Sequence, residues 1–218
     1  MSGAVSGFIT RAELRPGAGA AILTRAAARD DGHALVWTLF QHRERGERCF
    51  VYREEGPGRY LIVSTEPPED PEGLWRVAAK QYEPELAAGD GLRFALRVNP
   101  AVTTKVDGSP KRTDAVMHAK AHLTGEARRG VDKEAAVEAW LQPRLEARGA
   151  RLDGFALTGW RVDDRAGAGP GRGRHTRSIA DTQGTLTVAE SSAFTPVLFA
   201  GLGKARAYGC GLLLVRRA

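Results

Sequence analysis

Apolar residues at every second position mark the most regular stretch of the chain. Leu92, Phe94, Leu96 and Val98 fall on one face, and Arg93, Ala95 and Arg97 on the other. That period predicts a strand, bounded by Gly89-Asp90-Gly91 before it and Asn99-Pro100 after it. Phe8 to Leu14 predicts an earlier strand, with Phe8, Thr10, Ala12 and Leu14 on one face, ended by Pro16 and two glycines. From Ala20 to His42 helix formers dominate, interrupted near Asp30-Asp31-Gly32. Leu35, Val36, Leu39 and Phe40 then repeat at helical spacing, and Asp30 or Asp31 is placed to cap this second piece. Cys49–Arg53 and Tyr60–Ser64 predict a hairpin around Glu55-Gly56-Pro57-Gly58. Glu66 to Glu72, with three prolines and four acids, is loop, and Leu74 to Lys80 predicts a short helix.

Ala101 to Arg129 is polar and basic. Val131 to Arg148 predicts a helix started by Asp132, with Ala136, Val137, Trp140, Leu141 and Leu145 on one face and a kink at Pro143. A strand over Arg151–Val162, a glycine-rich loop over Asp163–Gly173 and a strand over Ser178–Val188 follow. Ser191 to Ala200 predicts the last helix, and Leu212 to Val215 a last buried strand. Phe8 to Val98 therefore runs strand, helix, strand, strand, short helix, strand, which is the ferredoxin-like order. The remainder repeats it in looser form, without internal sequence identity. The fold class expected is α+β: two tandem ferredoxin-like domains with antiparallel sheets, residues 1–105 and 106–218.

Charge narrows the partner. Lys and Arg total 32 against 26 acidic residues, for a net charge of +6, and the pI is near 9.7. This favours a polyanion. Arginine outnumbers lysine, and its planar fork suits phosphate and base edges. Two distant cysteines, Cys49 and Cys210, build neither a disulfide framework nor a zinc ribbon and suit a reducing cytoplasm. Met1 to Phe8 has no signal-peptide pattern, and no apolar run is long enough to span a bilayer.

The candidate chemistry clusters in a few places. Gly201, Gly203, Gly209 and Gly211 put four glycines in eleven residues, with Lys204 and Arg206 between them. Such a segment can hold backbone angles closed to other residues, and its amides can form an anion-binding concavity. The dinucleotide fingerprint fails because Arg206 stands where the third glycine is needed, and no P-loop spacing is present. On spacing alone, a glycine turn into the last strand stays open beside the anion site. Arg172, Arg174 and Arg177 lie within six residues on the predicted loop and read either as a phosphate-contacting finger or as solvated charge. His118 and His122 have metal-ligand helical spacing, but Ala119 replaces the zinc-protease glutamate and no third ligand is evident; solvated histidines are the simpler reading. His33 would sit in the first turn of its helix.

Gly201-Leu-Gly-x5-Gly209-Cys-Gly-Leu-Leu213 resembles the C-terminal glycine-rich loop of the CRISPR RNA-processing endoribonucleases, in particular the CasE type of the type I-E system. Gly91 to Pro100, followed by Lys105, Lys111 and Arg112, resembles the strand that leads from the first domain of that family toward the second. His33-Ala-Leu-Val-Trp37-Thr-Leu39-Phe40 resembles its histidine helix, Arg48 to Glu55 its second strand, and Gln183 to Val188 its penultimate strand. The resemblance implies that His33 is catalytic. It also implies that Lys105, Lys111, Arg112, Arg172, Arg174, Arg177, Lys204 and Arg206 contact RNA, together with the four loop glycines. It implies cleavage of CRISPR precursor RNA at the repeat stem-loop without metal or other cofactor, leaving a 2′,3′-cyclic phosphate. The protein would then stay on the hairpin with the other Cascade subunits. Some relatives carry tyrosine where this chain has Asp30, so the helper of His33 stays open.

The chemistry stands without the resemblance. RNA carries its own nucleophile, the 2′-hydroxyl. The protein must supply a group that titrates near neutrality, as histidine does, and cations or amides around the phosphate. No acidic cluster of the kind that holds magnesium stands out. Two other classes remain open: an inactive stem-loop-binding subunit of the same fold, and a small-molecule enzyme of the ferredoxin-like class. Basic charge and the absence of a cofactor motif argue against the second.

Overall fold

A computed structural model of the chain describes residues 5–17, 32–41, 48–165 and 175–218. The helical piece expected before Gly32, with Asp30 and Asp31, and the Arg172 and Arg174 tip lie outside these residues. The chain divides into two compact units, Met1–Leu86 with Ser192–Leu213, and Ala87–Ser191 with Leu214–Ala218.

The first unit is built on an antiparallel sheet of β1 (Gly7–Leu14), β2 (Phe50–Gly56), β3 (Arg59–Ser64) and β4 (Trp75–Tyr82), in the order β2-β3-β1-β4. This is the ferredoxin-like strand order. Helix α1 (Gly32–Trp37) and the 3-10 turn Thr38–Phe40 carry the predicted apolar face. Val36, Leu39 and Phe40 are fully buried with Phe50, Tyr52, Ile62 and Trp75 in one core.

β4 replaces the helix predicted over Leu74–Lys80. Asp70 accepts from the backbone N–H groups of Leu74 and Trp75, both at 2.9 Å, which stops the chain there. The Trp75 indole enters the core and donates to Thr38 Oγ1 at 2.8 Å. From Trp75 to Tyr82 the backbone then pairs residue by residue with β1. Most side chains of this edge strand are exposed, so it shows no period-two signature. Residues 65–74 contain no helix.

Leu92–Val98 is a strand as its alternation predicts, but it opens the second sheet instead of closing the first. As β5 (Gly91–Val98) it pairs with β9 (His175–Val188) from Gly91 opposite Thr187 to Val98 opposite Ala180. With β8 (Ala150–Arg165) and β10 (Leu213–Arg217) it forms the order β10-β5-β9-β8, again ferredoxin-like. The apolar face of β5 is buried, as are Val137, Trp140, Leu141 and Leu145 of helix α4 (Lys133–Glu146). Asp132 caps that helix through the Glu134 N–H at 2.9 Å, and Pro143 lies inside it without ending it.

The predicted boundary at residues 105 and 106 falls inside a hairpin of the second unit, β6 (Ala101–Val106) with β7 (Ser109–Asp114). Two short helices follow, α2 (Ala115–Ala119) and α3 (Gly125–Arg129). None of these four elements was legible in the polar composition of residues 101–129. Helix α5 (Ser191–Ala200) and the glycine-rich segment belong, from Ser192, with the first unit. Phe199 meets Tyr82 of β4 at 5.5 Å between ring centroids.

Candidate active site

His33 is the second residue of α1, and Trp37 stands one turn further along the same face. The Trp37 indole N–H donates to His33 Nε2 at 2.9 Å. Arg48, just ahead of β2, places Nη2 at 2.5 Å from the same nitrogen. Indole and guanidinium can only donate, so Nε2 accepts, and the network assigns the imidazole proton to Nδ1. Phe50 and Tyr52, two apart on β2, share a face and support the imidazole. Their ring centroids lie 5.9 and 6.5 Å from that of His33, and Tyr52 is nearly parallel to it, at 17°. Arg48 also lies over the Phe50 ring, 5.7 Å from its centroid. The helix start approaches the sheet closely: a Cβ on Gly32 would lie 3.2 Å from the Tyr60 ring.

The glycine-rich segment closes on itself beside this cluster. Gly201 ends α5 with φ +73°, where its N–H bonds Val197 O, and Leu202 N–H donates to Gly211 O at 2.8 Å. A Cβ on Gly201 would lie 2.9 Å from Val51 Cγ2 and 3.0 Å from Gly211 O, and one on Gly211 would lie 2.8 Å from Leu202 O. Close approach therefore excludes side chains at both ends. Gly203 and Gly209 need glycine for their backbone angles, φ +83° and +72°. Between them Ala205 takes a left-handed conformation, φ 62°, and leads a 3-10 turn over Arg206–Tyr208. That turn packs against α1 and β2. The Tyr52 hydroxyl donates to Ala207 O at 2.6 Å. Histidine, tyrosine and glycine-rich loop thus come together in the first unit.

The predicted cations divide. Lys204 is exposed on the loop. Arg206 Nη1 donates to Ala200 O at 2.6 Å, so this guanidinium satisfies the carbonyl end of α5. Lys105, Lys111 and Arg112 are exposed on the β6–β7 hairpin of the second unit. The register sets Arg112 opposite Thr103 and Lys111 opposite Thr104. Lys105 and Arg112 therefore share one face, and Lys111 the other. Arg177 is not on a loop tip. It lies within β9 opposite Asp163 of β8, with 3.8 Å between Nη1 and the Asp163 carboxylate. Helix α2 ends at Ala119, so His118 and His122 share no helix face. Among the described residues no three His, Cys, Asp or Glu side chains form a metal-binding group.

Trp37, Arg48 and Tyr52 escaped the sequence reading as members of the site. The first could have been found from its i, i+4 spacing to His33. The other two needed the β2–α1 packing.

Fold and site together define an α+β protein of two ferredoxin-like halves, in which the helix that carries a hydrogen-bonded histidine packs against a glycine-rich loop. The chain belongs to the CRISPR associated protein family, whose family model matches residues 8–217, and within it to the CasE type. It is 30% identical over 199 residues to the CRISPR system Cascade subunit CasE of Escherichia coli (strain K12), covering 88% of this chain and 94% of that relative. Among solved structures it is similar to the CRISPR endoribonuclease Cse3 bound to a 19-nucleotide RNA, with TM-score 0.74, 24% identity, 98% of this chain and 100% of that one. It is also similar to Cas6e of Escherichia coli K-12, with TM-score 0.68, 23% identity, 97% of this chain and 100% of that one. Among the described residues no helix is long and apolar enough to cross a membrane.

Proposed function

We propose that this protein is a metal-independent endoribonuclease. It cuts CRISPR precursor RNA at the repeat stem-loop, leaves a 2′,3′-cyclic phosphate, and stays on the processed hairpin as a Cascade subunit in the cytoplasm. One observation carries the reading: His33, with Nε2 as acceptor, lies in the same unit as a glycine-rich loop that is docked on its neighbours through Tyr52. The reading is supported further by the family and by a relative described as a CRISPR endoribonuclease bound to RNA.

In this mechanism His33 Nε2 takes the proton of the 2′-hydroxyl. O2′ attacks the adjacent phosphorus, the bond from phosphorus to O5′ breaks, and the leaving oxygen takes a proton from solvent. The nucleophile belongs to the substrate, so the protein need not generate one on a metal. Lys105, Lys111, Arg112, Lys204 and Arg206, with Arg172, Arg174 and Arg177, are the proposed RNA contacts. Backbone contacts of this kind hold a duplex stem by shape and charge.

The test is single-turnover cleavage of a repeat stem-loop in excess chelator. Wild type should cut, a 2′-deoxy nucleotide at the scissile position should block it, and His33→Ala should slow it by about two to four orders of magnitude. Activity that appears only with magnesium, or a His33→Ala rate equal to wild type, overturns the proposal. A second reading, an inactive stem-loop-binding subunit, is favoured by a single feature: Nε2 of His33 is already occupied by two donors.

A further inference from the structure

We infer that Tyr208 is a substrate-positioning residue, whose ring stacks on the base of a nucleotide beside the scissile phosphate. This inference rests on the endoribonuclease reading above.

Exposure singles the residue out. Among the Phe, Tyr and Trp side chains, all of which lie in the described residues, Tyr208 alone is exposed, at 43%. A single apolar side chain at the surface needs no explanation by itself. This one stands on a backbone fixed at both ends. Ala205 before its 3-10 turn and Gly209 after it both take left-handed angles, φ 62° and 72°. A left-handed alanine is disfavoured and persists only where its surroundings hold it. Inside the turn, Tyr208 N–H donates to Ala205 O at 2.9 Å.

Tyr208 also stands between two contacts with Tyr52. The carbonyl before it, Ala207 O, accepts from the Tyr52 hydroxyl at 2.6 Å. After it, a Cβ on Gly209 would lie 3.6 Å from Tyr52 Cε2. The Tyr52 ring is nearly parallel to the His33 imidazole, with 6.5 Å between centroids. The turn packs against α1, the helix that carries His33. Tyr52 thus links the Tyr208 turn to the imidazole. Lys204 is exposed on the same loop. A cation beside a flat aromatic face matches a nucleotide, which offers a charged phosphate and a planar base.

The reaction needs such a platform. In a stacked A-form stem, O2′ stands off the line through phosphorus and O5′. In-line attack therefore requires a nucleotide at the scissile bond to turn out of the stack and be held there. A base that leaves the stack loses its neighbours, and an aromatic side chain replaces one of them. Tyr208 supplies that face without charge and without proton transfer. It holds the nucleotide, and His33 acts on its 2′-hydroxyl.

The experiment is single-turnover cleavage at sub-saturating protein by wild type, Tyr208→Phe, Tyr208→Ala and His33→Ala. The substrates are a repeat stem-loop and two abasic versions of it. Each abasic version lacks the base of one nucleotide flanking the scissile phosphate and keeps its 2′-hydroxyl. On the intact stem-loop Tyr208→Ala should lose about 5- to 150-fold, the range that removal of one base–aromatic stack produces. Tyr208→Phe, which keeps the ring, should cut as wild type does. On one abasic stem-loop wild type should fall by a similar factor, and Tyr208→Ala should fall no further. A merely structural tyrosine would not produce that loss of additivity. The salt dependence should be the same in wild type and Tyr208→Ala, because a phenol neutralises no phosphate. A wild-type rate in Tyr208→Ala overturns the inference. So does a Tyr208→Phe loss equal to that of Tyr208→Ala, which would assign the effect to the hydroxyl. Undiminished wild-type cleavage of both abasic stem-loops overturns it without any variant, whatever Tyr208→Ala does to folding. If wild type fails to cut the intact stem-loop, or His33→Ala cuts it normally, the endoribonuclease reading falls and the Tyr208 inference with it. Normal wild-type and His33→Ala behaviour beside an unaffected Tyr208→Ala removes Tyr208 alone.

Discussion

Tyr52→Phe removes one oxygen from the site and leaves the ring in place. The ring is 2% exposed and packs against His33, Phe50 and Tyr60, so the core that carries the histidine should keep its shape. What goes is the 2.6 Å hydrogen bond to Ala207 O, a tie between β2 and the glycine-rich loop 155 residues later in the chain. A neutral hydrogen bond of this kind contributes about 1 kcal/mol net. Ala207 is half-buried, so water can reach the orphaned carbonyl and the full desolvation penalty is not expected. About 1 kcal/mol is about fivefold in the equilibrium for local opening of the loop. Hydrogen exchange should read this directly. Leu202 N–H and Tyr208 N–H, both bonded within the loop, should lose about fivefold protection, and the β1–β3 amides should lose none. RNA affinity can fall by no more than the same factor, because binding is weakened only by the fraction of protein whose loop is open. Unchanged protection in the loop would refute the claim that Tyr52 holds it. Equal loss along β1 and β3 would mean that the hydroxyl supports the core instead.

Two further outcomes follow from the same geometry. Gly209→Ala should cost about 1 kcal/mol from its left-handed backbone alone, because nothing lies closer than 3.6 Å to a Cβ there. Gly211→Ala adds a contact of 2.8 Å with Leu202 O and should cost about 2–3 kcal/mol. Urea unfolding compares the pair, and equal costs would show that the loop yields at Gly211. Replacing Lys105, Lys111 and Arg112 together by Ala should flatten the log–log salt dependence of stem-loop binding by roughly two to three units, if each neutralises one phosphate. An unchanged slope removes the β6–β7 hairpin from the interface.

Local pattern was enough wherever one face of an element is buried and the other is wet. The alternation of Leu92, Phe94, Leu96 and Val98, the helical spacing of Leu35, Val36, Leu39 and Phe40, and the Asp132 cap each carry their structure in a few neighbouring residues. The glycine spacing from Gly201 to Gly211 likewise encodes backbone angles and close approaches that other residues cannot meet. Pairing partners are another matter. An alternating strand states that it has a buried face and not which sheet supplies its neighbours, so the assignment of Leu92–Val98 to the second sheet awaited β9 and β10. Trp75–Tyr82 is exposed along most of its length, so its strand conformation comes from hydrogen bonds to β1 and leaves no hydrophobic period to read. The candidate site is divided in the same way. His33 and Trp37 are local to one helix, whereas Arg48, Tyr52 and Ala207 reach it only through packing between α1, β2 and the glycine-rich loop. Sequence sets what each segment can be; which charged group faces the histidine is decided by long-range burial, because the free energy that brings those segments together comes from core residues far from any of them in the chain.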